Sequence, residues 1–262
     1  MRVAICVIVK LENKYLLEFI NHYKKLGFDS VIIYDNNDND GENPEVIKEK
    51  YIAQSGDNSF IKIENYRGQK TVQLKAYNDC YKKYSDDFDW ILYVDADEYL
   101  ILVRHTNIKD FLSQQIFDKY GEIQFNWLLY NDNNLLELKD GDLINEKLNT
   151  PLFTWINRHV KCIVRTKLST YKDSIFGNPH CSVLNCDVCD PNGKTRPNDN
   201  PFNDNWIETY STAYIKHFYM KTVNDYKQKV NRGRADIDGG YDKNAFFFYN
   251  TWTPEKQKIL DE

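Results

Sequence analysis

Cysteine is scarce in this chain, and long apolar runs are missing from it. Only six of the 262 residues are cysteine, too few for a fold held together by disulfides. No run of about 18 apolar residues occurs, so the sequence predicts no membrane-spanning helix. The apolar stretch over residues 1–9 ends at Lys10 without a small-residue cleavage site, and we interpret it as a buried strand rather than a signal peptide. These absences predict a cytoplasmic location, which includes the inner face of a membrane.

An excess of positive charge is also absent. Lys and Arg total 34 residues and Asp and Glu total 39, which gives a net charge of −5. A mildly acidic chain is poorly suited to neutralising a nucleic-acid backbone, so we expect no nucleic-acid partner. A single nucleotide is not excluded, because it needs only a local site. With 42% hydrophobic residues, a chain of this length can bury a full core.

The first hundred residues alternate between strand and helix patterns. Apolar, β-branched runs mark the strands, and apolar residues at helical spacing mark the segments between them. The predicted strands span residues 3–9, 30–34, 60–63 and 90–94. Such alternation is typical of a Rossmann-like, doubly wound and mainly parallel sheet. The predicted fold class is therefore α/β, followed by a less regular second half.

Polar residues follow these strands at the point where each strand ends. Lys10 and Glu12 follow the first strand, Asp35 follows the second, and Asp95 and Asp97 follow the fourth. Ligands of doubly wound sheets bind outside the carboxyl ends of the strands, so we predict that Lys10 and Glu12 bind a nucleotide there. Two aspartates one residue apart point to the same side, and a cation relieves their repulsion. Mg²⁺ or Mn²⁺ would take these oxygens and hold phosphate as well; a solvated acidic turn is the alternative.

Ordered segments across the chain resemble those of a known family. They are residues 7–13 (VIVKLEN), 33–36 (IYDN), 68–69 (GQ), 89–100 (DWILYVDADEYL), 161–165 (KCIVR), 216–222 (KHFYMKT) and 232–236 (RGRAD). Together they resemble the GT-A glycosyltransferases of family 2 and family 92. Residues 89–100 resemble the DxD strand of those enzymes.

The resemblance implies a domain organisation and an activity. Residues 1–236 would form a GT-A domain, with a nucleotide-sugar-binding half over 1–105 and an acceptor half over 106–236, and residues 237–262 would dock on it. The activity would be metal-dependent transfer of a sugar from a UDP-sugar, such as UDP-galactose, with inversion. The acceptor would be a glycan or glycolipid, such as a lipopolysaccharide or capsule precursor, reached by peripheral contact with the membrane. The oligomeric state is left open.

The resemblance also implies roles for individual residues. Asp35 would pair with the nucleobase imide, and Gln69 would lie near the nucleotide. Asp95 would contact the ribose or the metal, and Asp97 would bind the metal, Mn²⁺ or Mg²⁺. The matched segments are densest over residues 1–105, so these assignments concern the donor side.

Basic residues and histidines of the second half are candidates for the metal and the phosphates. His217 ends a predicted strand, and a neutral imidazole there could complete the metal site. Lys221 follows four residues later and could meet the diphosphate. His180 is the rival metal or acceptor histidine. Arg232 and Arg234 could clamp phosphate through paired hydrogen bonds, and a solvated helix face is the alternative for both.

An inverting transfer also needs a general base to deprotonate the acceptor hydroxyl. Asp132 is the first candidate for this catalytic role, because it follows a strand expected to lie near the donor sugar. Glu146, Asp140 and Glu98 are the alternatives.

Two other functions have to be weighed against the transferase. A sugar nucleotidylyltransferase should open with a glycine-rich phosphate loop after the first strand, and residues 9–13 (VKLEN) contain no glycine. A non-catalytic glycan- or nucleotide-binding protein on the same fold would bind without turnover. The intact pair of Asp95 and Asp97 disfavours that second alternative.

Overall fold

The computed structural model describes residues 1–168, 175–234 and 239–262. Its strands are β1 (Val3–Val9), β2 (Ser30–Asp35), β3 (Ile61–Asn65), β4 (Trp90–Asp95), β5 (Glu98–Leu102), β6 (Glu122–Tyr130), β7 (Pro151–Leu152), β8 (Val160–Arg165), β9 (Val188–Cys189), β10 (Thr195–Arg196) and β11 (Ala213–His217). Its helices are α1 (Asn13–Lys25), α2 (Glu45–Ser55), α3 (Gln73–Tyr84), α4 (Ile108–Leu112), α5 (Ile144–Lys147), α6 (Trp206–Thr209), α7 (Val223–Arg232) and α8 (Pro254–Asp261). Among these described helices, none has the length and apolar character to cross a membrane.

The main sheet has the strand order β10-β9-β6-β8-β4-β1-β2-β3. Strands β1 to β4 are mutually parallel, and the connections between them contain α1, α2 and α3. Strand β8 runs antiparallel between β4 and β6. The expected α/β architecture is therefore confirmed, with a parallel first half and a mixed second half. The carboxyl ends of β1, β2 and β4 meet at one edge, where ligands of such sheets bind.

Strand β1 shows why the first apolar run belongs in the centre of the sheet. All seven of its side chains are buried. Ile5 and Val7 pack into one hydrophobic core, whereas Ala4 and Cys6 pack into the core on the opposite face. Both faces of a parallel sheet are covered by helices, so a central strand is apolar throughout. Its first polar residues therefore appear where the strand leaves the core.

A smaller set of strands brings distant residues to the same edge. Strand β11 pairs antiparallel with β5 and parallel with β6. In this register His217 lies opposite Glu98 on one side and Leu129 on the other. His217 is thereby placed beside the turn that carries Asp97, although about 120 residues separate the two in the chain.

The C-terminal elements pack around a third apolar cluster that includes Tyr226, Phe246 and Leu260. The Lys256 ammonium of α8 lies 2.5 Å from the carboxylate of Asp132, and both residues are 1% exposed. Asn250 accepts a hydrogen bond from the backbone N–H of Asp132 at 2.8 Å. Asp132 therefore anchors the C-terminal segment. The expected boundary at residues 236 and 237 lies outside the described residues.

Replacing Lys256 by Met should destabilise the fold strongly. The change leaves the buried Asp132 carboxylate without its cation, and breaking a buried ion pair from one side costs about 3–5 kcal/mol. Denaturant unfolding measures the loss. Lys258→Met is the matched control on the same helix, because Lys258 is exposed and its pair with Glu262 spans 3.8 Å. Adding Asp132→Asn to Lys256→Met should recover part of the loss, and equal stability of the two single variants would contradict this account.

Candidate functional site

A cleft of about 330 Å³ lies at the carboxyl ends of β1 and β4, a size within the usual range of ligand sites. Its described lining contains six cationic residues, Lys10, Lys70, Lys161, Lys229, Arg232 and Arg234. It contains three carboxylates, Glu12, Asp95 and Asp97. Cations in excess over carboxylates give a concave surface a potential that attracts anions such as a diphosphate.

Asp95 is held by three hydrogen bonds from two neighbouring elements, α3 and β8. Its carboxylate accepts from Gln73 at 2.6 Å and from the Tyr77 hydroxyl at 3.3 Å, both on α3. Lys161 of β8 donates to the other carboxylate oxygen at 2.9 Å. Lys161 is 1% exposed, so its charge has to be balanced within the protein. The antiparallel insertion of β8 beside β4 supplies this counter-charge.

Glu98 follows Asp97 in the chain and is fully buried. Burial raises the pKa of its carboxyl well above the ordinary value, even though Lys161 opposes that shift. One of its oxygens accepts a hydrogen bond from the Asp95 N–H at 2.9 Å. The second oxygen has no hydrogen-bond partner in the described structure. Glu98 thus shapes the turn that carries Asp95 and Asp97.

Asp97 is enclosed by two basic groups from the C-terminal half of the chain. Its carboxylate lies 3.0 Å from the Lys229 ammonium and 3.6 Å from His217 Nε2. Burial opposes ionisation of Asp97, but Lys229 and His217 outweigh it and hold the pKa of Asp97 well below its usual range. Burial lowers the pKa of His217. At neutral pH the site therefore holds a carboxylate beside a neutral imidazole.

The residues present can supply part of a metal site. Within residues 1–168, 175–234 and 239–262, no group of three or more His, Cys, Asp or Glu side chains could hold a metal ion. Asp97 and His217 are two close candidate ligands, with Lys229 paired to one oxygen of Asp97, while both oxygens of Asp95 are engaged by Gln73 and Lys161. Mg²⁺ and Mn²⁺ accept few protein ligands when phosphate and water complete the shell. Asp97 and His217 could therefore supply the protein ligands of a metal ion whose other ligands come from a phosphate-bearing molecule.

Glu12 links the loop after β1 to α7. Its carboxylate is 2.5 Å from Arg232 and also binds Lys221. Glu12 and Arg232 line the cleft, whereas the Lys221 ammonium is covered by Glu12 and is not part of the cleft lining. Lys221 was expected to meet the diphosphate directly, and its engagement with Glu12 withdraws it from that position. Lys229 occupies the cleft instead.

Asp35 and Gln69 were expected near the base of a nucleotide. Asp35 is 4% exposed, and Arg67 donates to its carboxylate at 2.7 Å. Asn37 donates to its other oxygen through both its backbone and its side chain, at 3.0 and 2.7 Å. Asp35 therefore lies behind the cleft lining, to which the next residue, Asn36, and Gln69 both belong.

Of the residues predicted from the sequence, the fold brings together Lys10, Glu12, Gln69, Asp95, Asp97 and His217. The rival candidates His180, Arg232 and Arg234 line the same cleft. Asp132 does not, because its carboxylate is buried against Lys256. The structure thus gives the proposed base no access to a ligand in the cleft, and Glu146 and Asp140 are likewise absent from the lining.

Sequence reasoning missed several residues of the lining, notably Lys161 and Gln73. Lys161 is a charged residue within an otherwise apolar strand, KCIVR, and a lysine at a buried strand position is a recognisable signal for a buried partner. Gln73 carries no comparable signal, because an amide at the start of a helix is ordinary there.

The protein has an α/β fold, with a cationic cleft and paired aspartates at the carboxyl edge of its sheet. These features are typical of proteins that bind phosphorylated small molecules. The sequence then identifies the family: the model of glycosyltransferase family 92 matches residues 2–171. The chain belongs to this family and is a glycosyltransferase. The expectation drawn from the ordered segments is thereby confirmed. No curated protein sequence matches the chain significantly.

Several solved structures resemble this chain distantly. S. aureus TarS 1-349 in complex with UDP is 13% identical, with a TM-score of 0.45 over 99% of this chain and 70% of that chain. The same protein with UDP-GlcNAc is 14% identical, with a TM-score of 0.44 over 99% and 70%. GalNAc-T7 with UDP, GalNAc and Mn²⁺ is 12% identical, with a TM-score of 0.34 over 50% and 23%. The family assignment depends on the sequence match.

Replacing Lys161 by Met should destabilise the protein in a pH-dependent way. The change leaves Asp95 and Glu98 without their shared cation, and we expect a loss of about 3–5 kcal/mol at neutral pH. Burial already holds the pKa of Glu98 well above its ordinary value, and Lys161 opposes that shift, so the folded-state pKa of Glu98 rises further in the variant. The extra loss of stability is therefore full at pH values above the folded-state pKa of Glu98 in the variant, and it shrinks as the pH falls through that pKa.

Urea unfolding of the Lys161→Met variant between pH 4 and pH 8 tests this prediction. Lys167→Met is the matched control, because Lys167 also pairs with an aspartate, Asp89 at 2.6 Å, but is exposed. Exposed pairs contribute about 0–1 kcal/mol. A loss of stability in Lys161→Met that did not depend on pH would show that Lys161 does not balance the buried carboxyl groups. An equal loss of stability in both variants would show the same.

Proposed function

We propose that this glycosyltransferase moves a sugar from a UDP-sugar, such as UDP-galactose, to a hydroxyl group of a glycan or glycolipid acceptor, with a divalent metal ion as cofactor. One observation carries the proposal. The paired aspartates at the end of β4 lie in a cleft whose described lining has twice as many cations as carboxylates. A nucleoside diphosphate needs this combination, because its phosphates require cations and carboxylates can bind a metal or the ribose hydroxyls.

The sheet order suggests how the donor would lie. Asn36 and Gln69 follow β2 and β3 at one side of the cleft, and Asp95 and Asp97 follow β4 nearer its centre. The nucleoside would rest over the first group, and the diphosphate would lie between Asp97 and the cations of α7. Lys229 and Arg232 belong to those cations.

In the transfer, the acceptor oxygen forms a bond to the anomeric carbon while the bond from that carbon to the diphosphate oxygen breaks. The leaving diphosphate gains negative charge, which Lys229, Arg232 and Arg234 are placed to stabilise. Bound at Asp97 and His217, Mn²⁺ or Mg²⁺ would supply further charge stabilisation of the leaving group. The acceptor hydroxyl gives its proton to water, because the carboxylates Asp95 and Asp97 of the described lining are both engaged by lysines.

Nucleoside diphosphates should raise the melting temperature of the protein, and UDP should raise it most. A ligand at 100 times its dissociation constant adds about 2.7 kcal/mol, equivalent to a shift of about 5–10 °C for a chain of this size. UDP, GDP, CDP and ADP are compared with and without Mn²⁺. The shift with UDP should be larger when Mn²⁺ is present. If no nucleotide changed the melting temperature, the use of a nucleotide-sugar would be contradicted. If UDP gave the same rise in melting temperature with EDTA as with Mn²⁺, a role for the metal in binding would be contradicted.

Asp97→Asn and Lys229→Met should each lower donor turnover by about 10²–10³-fold, the usual cost of losing one charge-stabilising group. A carboxamide binds a metal ion more weakly than a carboxylate does. Asp97→Asn should therefore reduce the part of the UDP-induced rise in melting temperature that depends on Mn²⁺. Donor hydrolysis and melting temperature are both measured, so that loss of activity is separated from loss of fold. Asp110→Asn is the control, since Asp110 lies exposed on α4. Full activity in a folded Asp97→Asn protein would refute the metal assignment.

A further inference from the structure

One wall of the cleft is made of uncharged rings rather than ion pairs. The Trp127 ring of β6 lies with its centroid 4.4 Å from that of His217 and 5.3 Å from that of His180. His159 stacks on Trp127 at 4.9 Å with an interplanar angle of 17°. Trp127, His180 and His217 all line the cleft. Three of the five histidines thus surround a single tryptophan.

Two polar atoms of this wall are buried without a partner. Trp127 Nε1 and His217 Nδ1 have no hydrogen-bond partner in the described part of the chain, and their residues are 8% and 2% exposed. Buried polar groups are nearly always hydrogen-bonded, so an exception calls for an explanation. A ligand with hydroxyl groups in the cleft would provide the missing partners.

His180 offers the complementary kind of atom. Its Nδ1 lies 3.0 Å from the carbonyl oxygen of Val160, so Nδ1 carries the proton and donates. Its Nε2 then keeps a lone pair and can only accept. Burial, with Lys161 nearby, lowers the pKa of His180 to about 3, so the imidazole stays neutral. The wall therefore presents a donor on Trp127 and an acceptor on His180.

The position of the wall identifies the part of a donor that would reach it. In the sheet order, β6 lies on the far side of β4 from β1 and β2. The nucleoside side of the cleft is at β2 and β3, and the carboxylate pair is at β4. The group attached to the far end of the diphosphate is the sugar, and it would fall over β8 and β6. Trp127 lies there.

The geometry points to Trp127 and His180 as the residues that hold the transferred sugar, which we infer to be an uncharged, hydroxyl-bearing pyranose. This inference rests on the proposed use of a nucleotide-sugar donor. Trp127 Nε1 donates to one sugar oxygen, and His180 Nε2 accepts from one sugar hydroxyl. A sugar carboxylate would find no free cation on this described wall, because Lys161 is already paired with Asp95 and Glu98.

Calorimetric titration of UDP, UDP-galactose and UDP-glucuronate against the intact chain tests the inference. The quantity compared is the ratio of UDP-sugar affinity to UDP affinity. Trp127→Phe keeps an aromatic ring but removes the N–H, and His180→Ala removes the acceptor. Each should lower the ratio for UDP-galactose about tenfold, the equivalent of one hydrogen bond, with UDP affinity changed less than twofold. UDP-glucuronate should bind the unaltered protein more weakly than UDP-galactose.

Trp252→Phe makes the same change at an exposed tryptophan whose N–H meets Gln257, and the ratio should not move. If UDP binds but the ratio is unchanged in Trp127→Phe and His180→Ala, the sugar subsite is refuted. An equal fall in the affinities for UDP and for UDP-galactose would make both residues structural, which also overturns the inference. If the unaltered protein binds no UDP, the proposed function fails instead.

Discussion

Three carboxylates crowd the end of β4, two of them buried, and balancing their charge is the constraint on which the rest of the structure depends. Asp95, Asp97 and Glu98 lie within one tight turn, and Asp97 and Glu98 are almost wholly buried. Carboxylates this close repel one another and lose hydration, so the turn is stable only with cations beside it. Lys161 and Lys229 provide them, at 2.9 Å from Asp95 and 3.0 Å from Asp97.

The need for those cations explains the less regular second half of the chain. Strand β8 enters the sheet antiparallel beside β4 and brings Lys161 to Asp95. Strand β11 places His217 next to Glu98, and α7 extends Lys229 over Asp97. The same elements leave a cleft with surplus positive charge on one side and uncharged rings around Trp127 on the other. Stability of the turn and affinity for an anionic ligand thus come from the same side chains.

The sequence allowed much of the donor side to be predicted, because strand patterns and strand ends are local features. The four parallel strands and the positions of Lys10, Glu12, Asp95 and Asp97 at one edge follow from apolar periodicity and topology. Three side chains were expected in the cleft and lie elsewhere. Arg67 holds Asp35 behind the lining, Glu12 covers Lys221, and Lys256 holds Asp132 against the C-terminal helix. Each is withdrawn by a partner that sequence spacing could not reveal.

By itself, the sequence determined the α/β class, the ligand edge of the sheet and the membership in glycosyltransferase family 92, since these depend on short-range pattern and ordered motifs. Only the tertiary structure decided which charged groups remain available to a ligand. That choice depends on pairings between residues far apart in the chain, such as Asp97 with Lys229 and Asp132 with Lys256. A buried charge takes whichever opposite charge the fold brings within about 4 Å, and that proximity exists only once the strands and helices have packed.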